Sequence, residues 1–461
     1  MTTSSAYPDR LLAYASAMKP GATALAGAGR NLSGTIQAFI ATHPDPQVIS
    51  GVTDWGQELT TYASRNSQIG QWVHDIGVAF RAAERGNGSG QVTVSDSRLN
   101  QLVARADPAV RRALTYFLTH LGNDSWLNGD RGTQNSIVEH LRGLSPEQID
   151  EFLAALSNQD LQKWNKAIPS SSFLWYSWGL DSSHKIELSN LLFTSASAAQ
   201  LARLEKYMPT LQPNPTTQEI GGPFRWLSIA GIPLFQTGPD GKPILNAFTD
   251  INQGDMGDCW VLSGLGAIAM ANPQLLQSHI RANANGTYTV TLYQNGKPVE
   301  ITVTDTVPYS PKAGWDYPYA HDLNGNDQWA MIYEKAYAEL KGGYQTIEGG
   351  FGDISMSALT GQPGNRTSPG QISLTQIDNL RAQGYAFTAG TNPGNNDRED
   401  GGQLVGSHEY MVEAVNTTNQ TITLLNPWGA QGAAPHTVTL SWQDFQTYFG
   451  TVSYVKVPGA A

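Results

Sequence analysis

The chain has 461 residues, roughly two to three times the usual domain length, so one large domain with one or two smaller modules is expected. It carries 28 basic against 39 acidic residues, a formal net charge of -11, and no long Lys/Arg cluster; this excludes a phosphate-tracking surface and nucleic acid as a partner. An apolar fraction of 40% with 12 Trp, 18 Tyr and 13 Phe excludes a disordered chain.

Taken in chain order, residues 1–86 read as a helical module. Leu11, Leu12 and Tyr14 open one periodic run, and Ile69, Trp72, Val73, Ile76 and Phe80 mark another, with His43-Pro44-Asp45-Pro46 breaking the first. The opening MTTSSAYPDR lacks the basic flank and apolar core of a secretory signal, and no window approaches a membrane span, so a cytoplasmic chain or export by a signal-independent route is expected. Arg85 to Gly90 has linker chemistry. Residues 92–208 form a second, mainly helical domain. Within it Ser145-Pro146-Glu147-Gln148 starts a helix, with a Ser cap, Pro at the first position, and Ile149, Phe152, Leu153 and Leu156 on one face. The Pro- and Gly-rich stretch 209–223 reads as a linker.

From 224 to 461 the texture is α+β, with helices followed by many short strands. Tyr288, Val290 and Leu292, then Val299, Ile301 and Val303, alternate around Asn295-Gly296, a hairpin signal. The single cysteine, Cys259, excludes an internal disulfide framework and a cysteine-based zinc cluster. It follows the Gly-bearing loop Gln253 to Asp258 and opens an apolar run expected to be helical. A helix N-terminus favours negative charge, so a lowered thiol pKa is expected there. A thiolate nucleophile needs a proton acceptor held by a third polar group. His408, ahead of an alternating apolar run, and Asn426, at the end of the next expected strand, are compatible with those roles.

The segments that carry this chemistry resemble the calpain family of cysteine peptidases. The run Gln253-Gly254-Asp255-Met256-Gly257-Asp258-Cys259-Trp260 is similar to the family's nucleophile segment, Gly406 to Val412 to its His segment, and Leu424 to Gly429 to its Asn segment. Gln328 to Ala338, with the loop to Gly350, resembles a core helix, and Leu440 to Phe445 the closing strand and helix. The resemblance covers about residues 224–458. It implies a papain-like fold split near Pro369 into a helical Cys-bearing half (224–369) and a β-rich half (370–458). It further implies an endopeptidase with Cys259 as nucleophile, His408 as base, Asn426 orienting the base, and Gln253 as an oxyanion donor beside the Cys259 amide. Trp428 matches a Trp that shields the His–Asn bond; Trp260 reads as core.

The pattern departs from the family at its calcium ligands. Asp250 stands where one such ligand would be, yet Gln345 replaces a Glu and an alanine-rich stretch follows Gly429. No cofactor is needed for the chemistry, and calcium control is not expected. Residues 1–86 faintly resemble the helical-hairpin substrates of type VII secretion in actinobacteria, which implies a bacterial effector acting on a protein or peptide. Two other classes use the same residues: an acyltransferase of transglutaminase type, and a non-catalytic binding scaffold.

Overall fold

The computed structural model describes residues 107–121, 131–169, 171–173, 176–215, 224–310, 319–321, 327–394, 404–430 and 432–460, with short stretches at 3–6, 16 and 92–95. The chain divides into two compact units: Met1–His184 with Ser195–Met208, and Lys185–Thr194 with Pro209–Ala461. The helices expected over 1–86 and the linker near 86–90 lie almost entirely outside the described residues. Near that end Thr3–Ala6 is extended and pairs antiparallel with Val92–Ser95. The sequence Val-Thr-Val-Ser is dominated by β-branched side chains, which fit a pleated ribbon better than the helix expected there.

The remaining described residues of the first unit are mainly helical, with one further antiparallel ribbon, Ser171–Phe173 against Tyr176–Trp178. Ser145 closes a capping box on Gln148 and Pro146 occupies the first turn of Pro146–Ala155, as the local sequence dictates. Ile149, Phe152, Leu153 and Leu156 are all buried. Phe117, Phe152 and Trp164 meet edge to face at the centre. Arg203 ties Ala198–Tyr207 to Pro146–Ala155 by donating to the carbonyls of Leu153 and Leu156.

The second unit has two hydrophobic clusters. One gathers around the helices Cys259–Ala271, Trp329–Lys341 and Gly352–Thr360, with the hairpin Tyr288–Gln294 and Lys297–Val303 against them. Asn295 and Gly296 turn that hairpin with φ of 53° and 73°, the left-handed pair that a two-residue turn requires. The other cluster lies on a six-stranded antiparallel sheet in the order Asn365–Thr367, Phe449–Lys456, Tyr385–Thr391, Glu409–Asn416, Thr421–Leu425, Thr437–Ser441. The strand nearest the expected division at Pro369 is Asn365–Thr367, already at the edge of this sheet.

Part of the 209–223 stretch is anchored to the second unit. Leu211 and Gln212 are buried, and Thr304 Oγ1 donates to Gln212 Oε1 at 2.6 Å; residues 216–223 lie outside the described residues. Among the described residues no helix is long and apolar enough to cross a membrane.

Cys259–Ala271 (CWVLSGLGAIAMA) is apolar on every face, the pattern of a helix buried all round. Leu262, Leu265 and Ile268 are fully buried, each contributing about 2 kcal/mol. Two glycines let neighbours approach: a Cβ at Gly264 would stand 2.3 Å from Ser355 Oγ, and one at Gly266 would stand 2.2 Å from Met411 Sδ. The second contact seats the helix directly on the strand Glu409–Asn416. Ser263 Oγ adds a bond to the Glu409 carbonyl at 2.8 Å.

Candidate active site

Cys259 is the first residue of its helix, and Asp258 stands at the N-cap without a side-chain cap bond. The carboxyl of Asp258 is engaged elsewhere: Oδ1 accepts from Gln253 Nε2 at 3.2 Å, and the fully buried Glu334 lies hydrogen-bonded beside it. Burial raises the pKa of both acids, and the negative charge of Asp258 raises Glu334 further. Glu334 therefore keeps its proton and shares it with Asp258, while its oxygens accept the Ala320 amide at 3.0 and 3.2 Å.

His408 immediately precedes Glu409–Asn416, and Asn426 immediately follows Thr421–Leu425. These strands pair antiparallel with Met411 opposite Leu425, which brings the two side chains together. Asn426 Oδ1 lies 2.8 Å from His408 Nε2 and also accepts the Trp428 amide at 3.1 Å. An oxygen that takes a backbone N–H is an acceptor toward the imidazole too, so Nε2 carries the hydrogen and Nδ1 is the basic nitrogen. Thr391 clamps the His408 backbone, its Oγ1 accepting the His408 amide at 2.9 Å. The Trp428 and Tyr410 rings each lie 5.0 Å from the imidazole, and Asn426 is fully buried.

Gln253, Cys259, Phe351, His408, Glu409 and Trp428 line one cleft of about 770 Å³. The Gln253 amide donates to the Pro427 carbonyl at 2.8 Å, tying the nucleophile loop to the turn after Asn426. The structure thus places Cys259, His408, Asn426 and Gln253 together, with two departures from expectation. The thiol pKa is not lowered: burial pushes it up to about 12, outweighing the backbone N–H groups of Glu409 and Trp260, and the acids Glu409 and Asp258 add to the rise. Desolvation here exceeds what a helix N-terminus supplies. Burial likewise depresses His408 to about 4, with Asn426 opposing. Among the described residues no hydrogen bond joins Cys259 to His408, and burial favours the neutral form of each. Second, the Gln253 side-chain amide spends its hydrogens on the Met256 carbonyl and Asp258 Oδ1 rather than pointing them at an oxyanion.

The Asp250 carboxylate is taken up by hydrogen-bond donors in this arrangement. Its carboxylate oxygens accept from Asn246 N at 2.6 Å, Thr249 Oγ1 at 2.5 Å, Trp329 Nε1 at 3.1 Å and Gln236 Nε2 at 3.4 Å. All four neighbours are hydrogen donors, whereas calcium needs a shell of oxygen acceptors. Among the described residues no three His, Cys, Asp or Glu side chains form a metal-holding group. Sequence reasoning missed Glu409, a buried acid beside both Cys259 and His408; its signal was an acidic residue directly after His408, opening the buried half of the strand Glu409–Asn416.

A lone thiol facing an imidazole held by a buried amide across a cleft is the equipment of a cysteine peptidase. Comparison with known proteins agrees: residues 244–450 match the calpain family cysteine protease model, and that segment is a calpain-family domain. The chain is 26% identical to a calpain-type cysteine protease of Arabidopsis thaliana over 48% of this chain and 12% of that protein. It is 30% identical to Calpain-8 of Mus musculus, and 26% identical to the Calpain-2 catalytic subunit of Rattus norvegicus, each over 39% of this chain and 28% of the relative. The alignments thus span between about a tenth and a little over a quarter of these relatives' lengths.

Proposed function

We propose that the second unit is a papain-like endopeptidase of two lobes, the helical one bearing Cys259 and the sheet one bearing His408 and Asn426. The observation that carries this is the His408 Nε2 to Asn426 Oδ1 bond at 2.8 Å on the wall of the cleft that also holds Cys259. With Nε2 committed to Asn426, Nδ1 takes the thiol proton as Sγ attacks the substrate carbonyl, and the imidazolium then returns that proton to the leaving amine. Water, deprotonated by the same nitrogen, adds to the thioester, and its collapse releases the acid and the free thiol. Because Cys259 and His408 begin neutral, proton transfer accompanies attack rather than preceding it. The Cys259 backbone N–H serves the oxyanion; Gln253 joins it once its amide leaves Asp258 Oδ1, the longer of its two bonds.

Incubation with a denatured protein, followed by sequencing of the products, tests this reading. Free new termini are expected from the native protein and none from Cys259→Ala. Asn426→Ala keeps measurable activity, because it removes only the group that orients the base. Products joined through new amide bonds would establish acyl transfer instead, and cleavage surviving in Cys259→Ala would end the proposal.

A further inference from the structure

Glu409 is 3% exposed, yet its two carboxylate oxygens are unlike one another. Oε1 accepts from Thr388 Oγ1 at 2.6 Å and from the Gly352 amide at 3.2 Å. Oε2 accepts no hydrogen bond and is not among the unpartnered atoms sealed from solvent. It lies against Gly390, where a Cβ would stand 2.7 Å from it and 2.5 Å from Thr451 Oγ1. Glu409, Gly390, Thr451, Gly450, Gly350 and Phe351 all line the cleft. The bare backbone of Gly390 therefore lies close beside the free oxygen, and the space for an incoming side chain is that of the cleft of about 770 Å³ which both residues line. An acid held this deep with an idle oxygen calls for a cationic donor, since a buried carboxylate is costly until it is paired.

We propose that this part of the cleft is a side-chain subsite for lysine or arginine of a peptide substrate, with the Glu409 carboxylate as its floor. The proposal rests on the peptidase reading and names the substrate class for it. The rim is compatible with a cation: the Arg366 guanidinium already sits 3.8 Å from the centroid of the exposed Phe351 ring. That guanidinium is itself 3.8 Å from the Asp353 carboxylate, which offsets part of its charge. The aliphatic stem of the bound residue packs on Phe351 and the glycine wall, and its charged end donates to Oε2.

The test is cleavage of peptide libraries scanned over the residues flanking the scissile bond, comparing lysine with norleucine, which keeps the stem and lacks the charge. At one position lysine is expected to raise kcat/KM at least about tenfold over norleucine, the usual scale for a charged hydrogen bond. Glu409→Gln keeps an acceptor for Thr388 and Gly352 and removes the charge, so the ratio at that position falls to near one. The ratio is read, not the rate, because Glu409 also stands beside the thiol. A second measurement needs no variant. The Glu409 carboxyl, held up to about 7 by burial against Thr388, Gly352 and Arg366 and with Asp353 adding to the rise, protonates below neutrality, so the wild-type ratio falls several-fold from pH 8 to pH 5. Titration of Cys259 and His408 cancels between the paired peptides. A ratio near one at every position overturns the subsite alone, as does a ratio that survives Glu409→Gln or is unchanged with pH. A protein that cleaves nothing fails the peptidase reading and takes the subsite with it.

Discussion

Cys259 and His408 line one cleft from a helix start and a strand start, without a hydrogen bond between them, and burial drives their proton affinities apart. The thiol is pushed up to about 12 and the imidazole down to about 4. Alkylation by iodoacetamide should therefore be slower at pH 7 than for an unperturbed thiol, and should climb about tenfold per pH unit well into the alkaline range. A rate already flat between pH 6 and 8 would show a resting thiolate–imidazolium pair and a differently hydrated cleft.

Gly429 closes the turn after Asn426 with φ of 71°, and a Cβ there would stand 1.8 Å from Asn252 Oδ1. Gly429→Ala combines left-handed strain of about 1–2 kcal/mol with that clash. Its expected outcome is a lower melting temperature and a fall of at least about tenfold in kcat/KM, because the turn carries the Trp428 amide that fixes Asn426 Oδ1. Unchanged kinetics in a folded variant would mean the amide is oriented by other contacts.

The pH dependence of stability separates two buried groups. His408 has a lowered folded pKa, so its neutral burial favours folding above about 6.5 and that contribution is lost as pH falls toward 4. Glu409 is an acid raised to about 7, so its contribution is present below about 4.5 and is lost as pH rises through 7. Chemical denaturation at pH 8 should find Glu409→Gln more stable relative to the native protein than at pH 4.5, by about 2–3 kcal/mol. A pH-independent difference would place the carboxyl in a wetter setting.

The boundary of the catalytic part is set by contacts ahead of residue 224. Lys185 pairs with the buried Glu339 at 2.9 Å, Asn190 bonds the Glu300 carbonyl and the Thr302 amide at 2.7 Å each, and Ile186 belongs to the core. A fragment beginning at 224 abandons these and strands Glu339, a loss of about 3–5 kcal/mol. Thermal melts should place fragment 224–461 roughly 10 °C or more below fragment 182–461. Equal melting temperatures would show that the Lys185–Thr194 segment is dispensable.

Asp250 accepts from four donors, and on that ground cleavage is expected to proceed in excess chelator and to change less than about tenfold with millimolar calcium. Asp250→Asn should lower stability by about 1–3 kcal/mol through the lost charge-assisted bonds. A sharp calcium-dependent rise abolished by Asp250→Asn would show that the loop rearranges around the ion.

What the sequence determined by itself was everything written in local order. Asn295-Gly296 demands a left-handed turn, Ser145 and Gln148 close a capping box, and the apolar run after Asp258 makes a helix buried all round; each follows from backbone sterics and side-chain spacing within a few residues. Cys259, His408 and Asn426 could be singled out because each sits in its own short segment and those segments resemble the calpain family's. What only the tertiary structure decided was the electrostatics between segments. The charge state of Cys259 depends on how many layers exclude water from it, and the Glu409 carboxylate is surrounded by Thr388, Gly352 and Gly390 from other elements, the first two engaging Oε1 while Oε2 is left without a donor. Desolvation and the pairing of buried polar atoms are sums over neighbours remote in sequence, so no local reading supplies them.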